Sequence, residues 1–189
     1  MPNRLMQTLR LVTTWSLLLL IMMAGCDIPE SWNPPYWPTP QSQVELMLEL
    51  AQVTPNDIVY DLGSGDGRIV IAAASKYGAR GVGIEIESKL VKASRQKAIE
   101  AGVSNRVLFV EQDMFEADIS EATVVTLYLW ENVNARLKPK LMEQLKPDTR
   151  IVTNTYKIPG WTPVKQIGKL YLYSLSLKSK TEGTSSSKN

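Results

Sequence analysis

The chain has 189 residues, 21 Lys and Arg against 19 Asp and Glu, no His and one Cys. That length suits one domain with a substantial core and is too short for two of ordinary size. Without His there is no Ser-His-Asp triad, no Cys-His pair and no His-ligated metal; one Cys excludes an internal disulfide, a Cys-rich zinc site and an iron–sulfur cluster. Chemistry is left to carboxylates, hydroxyls, amides, aromatics or a bound cofactor, and no metal site is expected.

Arg4 and Arg10 precede an apolar run from Leu11 to Met23, followed by Ala24, Gly25 and Cys26. Residues 1–26 therefore read as a signal peptide or membrane anchor. Met23-Ala24-Gly25-Cys26 resembles a lipobox, with Met where Leu is usual, which makes Cys26 a candidate for lipidation. The two Arg favour an N-inside orientation and hence export, whereas dependence on any cytoplasmic cofactor would favour the inner face. Membrane association in a bacterium is expected, with the side of the membrane left open. Residues 27–41 hold five of the eleven prolines and read as an extended tether. Residues 178–189 are Ser, Lys and Thr with few others and are expected to be a disordered tail. Setting aside Arg4, Arg10, three tail Lys and Glu182 leaves 16 basic against 18 acidic residues for 27–177. The formal +2 of the whole chain belongs to its ends.

The folded unit is expected over 42–177. Ser42-Gln43-Val44-Glu45 has the form of a capping box opening a helix, with Val44, Met47, Leu48 and Ala51 at helical spacing. Residues 57–62 read as a buried strand that runs into Gly63-Ser64-Gly65-Asp66-Gly67. A helix is predicted over 68–77, with Gly78 as its stop and Ala72, Ala73 and Ala74 small enough for close approach to a sheet. A second strand spans 80–86, and Ser88 is the expected cap of a helix reaching Ala101-Gly102. Strands follow over 106–110 and 122–129. Leu137, Leu141 and Leu145 mark a helix that Pro139 should delay or kink. A fifth strand covers 149–156, and 164–167 with 169–177 read as an antiparallel closing pair. Alternating strand and helix predict an α/β fold: one doubly wound, mostly parallel sheet with an antiparallel last strand and helices on both faces.

A glycine-rich turn between a first strand and a helix is where a nucleotide-like ligand approaches the backbone. The spacing here is Asp61-x-Gly63-x-Gly65-x-Gly67, neither a dinucleotide fingerprint nor a P-loop. Asp61 beside the glycines would repel a pyrophosphate but suits a ligand carrying an ammonium and a sulfonium. Glu85 ends the second strand, where a carboxylate can accept from ribose hydroxyls, and Asp113 ends the third, in reach of an adenine amino group. Three acids at three successive strand ends form one candidate site.

These residues resemble the class I, seven-stranded S-adenosylmethionine-dependent methyltransferases. Pro38-Thr39-Pro40, the helix from Val44 to Ala51, Val59 to Ala74 and Arg80 to Ser88 resemble bacterial relatives of the mitochondrial lysine methyltransferases that act on the ATP synthase c-subunit and the adenine nucleotide translocase. The resemblance runs from about Tyr36 to Ser176. It implies that Asp61, Gly63, Ser64, Gly65 and Gly67 cradle the methionine part of S-adenosyl-L-methionine, Glu85 the ribose, and Asp113 and Met114 the adenine. Ile86 and Phe115 would flank the adenine ring, with Thr39 covering the cofactor. It also implies that Trp130, Glu131 and Asn132, after the fourth strand, face the substrate as candidate catalytic residues.

The reaction so implied is protein-lysine N-methylation of a membrane-associated substrate by a monomer. A small-molecule or RNA methyltransferase, or a non-catalytic cofactor-binding lipoprotein, are the alternatives. The domain's charge gives no reason to expect a nucleic-acid partner. Asn33-Pro34-Pro35-Tyr36 matches an amino-methylating motif of nucleic-acid enzymes, but it lies in the tether without the strand that motif follows, and is read as coincidence. Methyl transfer is an in-line displacement that needs positioning and exclusion of water more than a strong base. Tyr128, Trp130, Tyr156 and Trp161, near strand ends, are candidates for an aromatic acceptor channel.

Overall fold

The computed structural model describes residues 37–175. The expected signal or anchor, the lipobox at Cys26, Asn33-Pro34-Pro35-Tyr36 and the tail all lie outside the described residues. Among those described, no helix is long and apolar enough to cross a membrane.

Helix α1 (Gln41–Leu50) leads into strand β1 (Ile58–Leu62), and α2 (Arg68–Tyr77) connects it to β2 (Arg80–Glu85). Helix α3 (Ser88–Glu100) then leads to β3 (Val107–Glu111), which is followed by β4 (Val124–Leu127) without an intervening helix. Helix α4 (Glu131–Gln144) joins β4 to β5 (Arg150–Asn154), and a hairpin of β6 (Lys165–Ile167) and β7 (Leu170–Ser174) ends the domain. One seven-stranded sheet runs in the order β3-β2-β1-β4-β5-β7-β6. The first five strands are parallel; β7 is antiparallel to both β5 and β6. Strand order reverses between β1 and β4, so a crevice opens beyond their carboxyl ends, the usual ligand position in such sheets.

The central strands β1, β4 and β5 are buried on both faces, and alternate residues go to two separate cores. Val59, Val124 and Val152 face α1, α2 and α3, packing against Val44, Met47, Val70 and Ala73. Tyr60, Leu62, Val125, Leu127 and Ile151 face α4, packing against Val133, Leu137 and Leu141. The sequence expectation of helices on both faces is met, three on one side and one on the other.

Three helix starts differ from expectation. Ser42 caps nothing, because α1 already begins at Gln41; the Pro40 carbonyl accepts from the amides of Gln43 and Val44, and no side chain caps the helix. Glu45, the other half of the expected box, pairs with Lys76 of α2 instead. Ser88 is the first residue of α3 rather than its cap, since the Glu85 carboxylate accepts from the amides of Ile86 and Glu87 and fixes the entry one residue earlier. Helix α4 starts at Glu131, eight positions before Pro139, when the Trp130 carbonyl takes the amides of Val133 and Asn134. Pro139 lies on the exposed side within it, where the missing amide leaves a gap in the ladder but no end to the helix.

Candidate active site at the carboxyl edge of the sheet

The glycine turn after β1 is shaped by backbone that only glycine adopts readily. Gly63, Gly65 and Gly67 have φ of 78°, 53° and 77°. The amides of Gly63 and Ser64 both donate to the Ile84 carbonyl at 2.9 Å, stitching the turn to the end of β2. Gly65 donates its amide to Glu85 Oε2 at 2.8 Å, while Glu85 Oε1 accepts from the amides of Ile86 and Glu87 at 2.9 Å each. Glu85, 8% exposed, thus fastens the turn to its own strand end. Ser64 Oγ is buried with no hydrogen-bond partner among the described residues.

Asp61 lies at the base of this turn, on the α1–α3 face of the sheet. It accepts from Thr126 Oγ1 of β4 at 2.7 Å. Burial pushes its carboxyl up to about 7; the Thr126 hydrogen bond opposes this, and the nearby charges of Glu85 and Asp66 add to the rise. Asp66, within the turn, behaves oppositely. Burial alone would raise it, but hydrogen bonds from Arg68 and Lys97, with their charges, hold it well below the usual carboxylate range. Arg68 also donates to the carbonyl of Thr39 at 2.7 Å, so the end of the proline-rich segment is fixed beside the turn, with Thr39 buried.

At the end of β3, Asp113 Oδ1 accepts from the Phe115 amide at 2.9 Å, forming a tight turn. The Phe115 ring lies under the guanidinium of Arg136 from α4, 4.3 Å from the ring centroid. Met114 packs, partly buried, against the core on the α4 face. Ile86 is exposed beside Glu85. Residues from the ends of β1, β2 and β3, together with Thr39, therefore line one continuous edge, as the sequence implied.

Trp130, Glu131 and Asn132 follow β4 on the same edge. Trp130 stands just before α4 and packs partly buried, while Glu131 and Asn132 form its exposed first turn. Loop joins loop here: a Cβ added at Gly63 would meet Leu129 Cδ2 at 3.2 Å, so the turn after β1 touches the segment after β4. Trp161, one of the four aromatics expected to line an acceptor channel, is partly buried. It packs against Tyr173, with ring centroids 5.9 Å apart, and lies under Lys138. Tyr156 remains 37% exposed at the end of β5.

A model of the ANTKMT methyltransferase domain matches residues 61–165, from the acid at the end of β1 to the start of β6. The chain belongs to this family. It is 48% identical over 134 residues to a protein-lysine N-methyltransferase of Saccharolobus islandicus, covering 70% of this chain and 83% of that one. The mouse (Mus musculus) adenine nucleotide translocase lysine N-methyltransferase is 33% identical over 161 residues, covering 85% and 69%. A solved structure described as an RNA methyltransferase from Salinibacter ruber, in complex with S-adenosyl-L-homocysteine, shares 52% identity with a TM-score of 0.74, covering 75% of this chain and 95% of that one. The family's cofactor is S-adenosylmethionine, and this chain is an S-adenosylmethionine-dependent methyltransferase of the seven-stranded class.

The residues present fit that cofactor. A buried acid whose carboxyl is raised to about 7, flanked by two more acids, favours a ligand that brings positive charge, and the open-backbone glycines leave room for it. Four polar residues that support the site were not singled out from the sequence: Thr126, Arg68, Asn134 and Asn154. Arg68 abuts the glycine motif and was within reach of that reading. Thr126 and Asn154 sit inside strands, where only the pairing of β4 with β1 and the packing of α1 on β5 give them their roles. Asn134 was hidden because α4 was expected to begin after it.

Proposed function

We propose that this methyltransferase transfers the methyl group to a lysine ε-amine of a membrane-associated protein. The observation that carries the reading is the 48% identity to a protein-lysine N-methyltransferase across most of both chains. The apolar segment at 11–23 behind two Arg supports an acceptor at the membrane.

The cofactor supplies an electrophilic methyl on a sulfonium. The chain's part is to hold, orient and dry the site. In this reading Asp61 pairs with the amino-acid ammonium, and Gly63, Ser64, Gly65 and Gly67 supply backbone and hydroxyl contacts to the methionine part. Glu85 meets the ribose, a role compatible with its bonds because a carboxylate has four lone-pair sites and three are taken here. Asp113 and Met114 read the adenine edge between Ile86 and Phe115, and Thr39 closes the N-terminal side. A lysine must arrive neutral to attack, and desolvation beside Trp130 and Tyr156 lowers its pKa. Glu131 and Asn132 face solvent at the mouth, where Glu131 can take the released proton.

An RNA acceptor is the second reading, because the Salinibacter structure carries that description. Against it stands the charge of residues 27–177, with 16 basic and 18 acidic side chains, since phosphate recognition needs a basic face. Cofactor with a radioactive methyl, added to membranes, soluble protein and total RNA of the source cell, separates the two. Label in a membrane protein, recovered as methyllysine on hydrolysis, is the expected result; label confined to RNA would refute the lysine reading. Glu131→Gln is expected to keep cofactor affinity and lower turnover. Protease digestion of spheroplasts tells on which side of the membrane the domain works.

A further inference from the structure

The turn that follows β5 is strained and heavily tied. Thr155 has φ of 67°, in the left-handed region that a β-branched residue avoids. The Tyr156 amide donates to the Asn154 carbonyl at 2.8 Å, closing a three-residue turn of the rare, strained kind. Thr155 donates its amide to the Lys169 carbonyl of the β6–β7 turn at 2.7 Å and its hydroxyl to Asn154 Oδ1 at 3.1 Å. Asn154, fully buried, donates in turn to Gln43 of α1 at 2.6 Å. Two other elements, the β6–β7 turn and α1, hold this one turn in an unfavourable shape, and strain so maintained clusters at functional sites.

A third element, α4, adds its own tie. Asn134 is fully buried, and its side-chain amide nitrogen lies 3.3 Å from the Leu129 carbonyl and 3.2 Å from those of Tyr156 and Lys157. Three acceptors share two N–H groups, so no single bond is optimal. Its Oδ1 is buried without a partner among the described residues. An orphan buried oxygen destabilises the fold, and a leucine of similar volume would avoid that cost. What a leucine could not do is hold the backbone after β4 and the backbone after β5 to one point.

Those two segments are the walls of the acceptor side. Leu129 touches the glycine turn at Gly63, while Tyr156 is exposed at the same edge. We infer that Asn134 is a positioning residue that sets the gap between the two walls, and so the line along which an acceptor amine reaches the methyl group. This rests on the lysine reading above. Asn134 touches neither cofactor nor amine; it acts through Leu129, Tyr156 and Lys157, with the Thr155 turn as the second fixed point.

The test compares two ligands by calorimetry on the full chain, so it needs no identified substrate. One is S-adenosylhomocysteine; the other is its analogue with nitrogen in place of sulfur, bearing a four-carbon aminoalkyl arm where the methyl would be. The native chain is expected to bind the armed ligand about tenfold tighter than the unarmed one. Asn134→Ala should keep S-adenosylhomocysteine affinity within about twofold and lose most of the gain from the arm. Thr155→Gly, which accepts the positive φ but removes the hydroxyl tie to Asn154 and frees the turn to take other shapes, should lose the gain several-fold with the first affinity unchanged. Equal weakening of both ligands in Asn134→Ala would assign it a merely structural role and overturn the inference. Full retention of the arm's gain in Thr155→Gly would do the same, and it decides the matter if Asn134→Ala does not fold. Absence of any gain in the native chain points instead at the lysine reading, and this inference falls with it.

Discussion

Asp61 shows how one residue can be costly to the fold and needed by the site. Buried beside Glu85 and Asp66, its carboxyl is raised to about 7 against an ordinary value near 4. A raised folded-state pKa means the native chain holds the proton more tightly than the unfolded one. The stability it contributes is full below about pH 4 and is lost as pH rises through 7. A ligand ammonium placed beside it reverses the preference, because it pairs with the ionised form. S-adenosylhomocysteine should therefore bind about tenfold more weakly per pH unit below 7, with proton release that calorimetry in buffers of different ionisation enthalpy detects. Asp61→Asn should raise the unliganded melting temperature by a few degrees at pH 8, measured by thermal unfolding, while abolishing most of the affinity. The acid itself was legible in the sequence, since it precedes the glycines. That its carboxyl is raised was not, because its surroundings include β4 and Thr126, sixty-five residues away.

Among the elements, the pairing of α2 with β2 rests on absent side chains. A Cβ at Gly81 would lie 2.7 Å from Val70 Cβ and 3.2 Å from the Val70 carbonyl oxygen. Neither atom can swing away, since one is branched at the backbone and the other belongs to it. Gly81→Ala is expected to cost about 1–3 kcal/mol in urea or guanidinium unfolding with an unchanged m-value, and to loosen the glycine turn that α2 carries. The helices were located well from the apolar spacing and badly from their caps. Ser42 and Ser88 have the chemistry of caps, but backbone held elsewhere moved each helix start past them: Pro40 and Thr39 pinned by Arg68, Glu87 pinned by Glu85. Pro139 does not delay the start of α4, as a proline on an exposed helix face removes one bond and no packing.

At the scale of the molecule, the two ends of β1 respond oppositely to pH. Asp57, just before it, accepts from Thr123 Oγ1 at 2.6 Å, from the Thr54 amide at 2.7 Å and from Arg150. Burial would raise its carboxyl, but these hydrogen bonds and the Arg150 charge outweigh burial and hold it below its ordinary value. A depressed folded-state pKa gives stability that is present above about pH 4 and lost as pH falls through the folded value. Asp66 acts in the same sense. The unliganded domain should thus be most stable in mildly acid solution, losing stability on the acid side through Asp57 and Asp66 and on the neutral side through Asp61. Saturating S-adenosylhomocysteine should remove the second loss and leave the first, as thermal unfolding across pH 3–9 would reveal. Asp57→Asn should flatten only the acid limb.

The order of strands and helices, the doubly wound sheet, the acids at three strand ends and the glycine turn are all properties of local pattern. Apolar periodicity, small residues and turn chemistry act within a few residues of one another, so the linear sequence determines them. Tertiary structure decided what depends on pairs far apart in the chain. It set the raised pKa of Asp61, the packing of Trp161 against Tyr173, and the gathering of Leu129, Tyr156 and Lys157 on Asn134. A buried amide or carboxyl takes its character from whichever groups the fold brings within about 3 Å, and no local pattern specifies those groups.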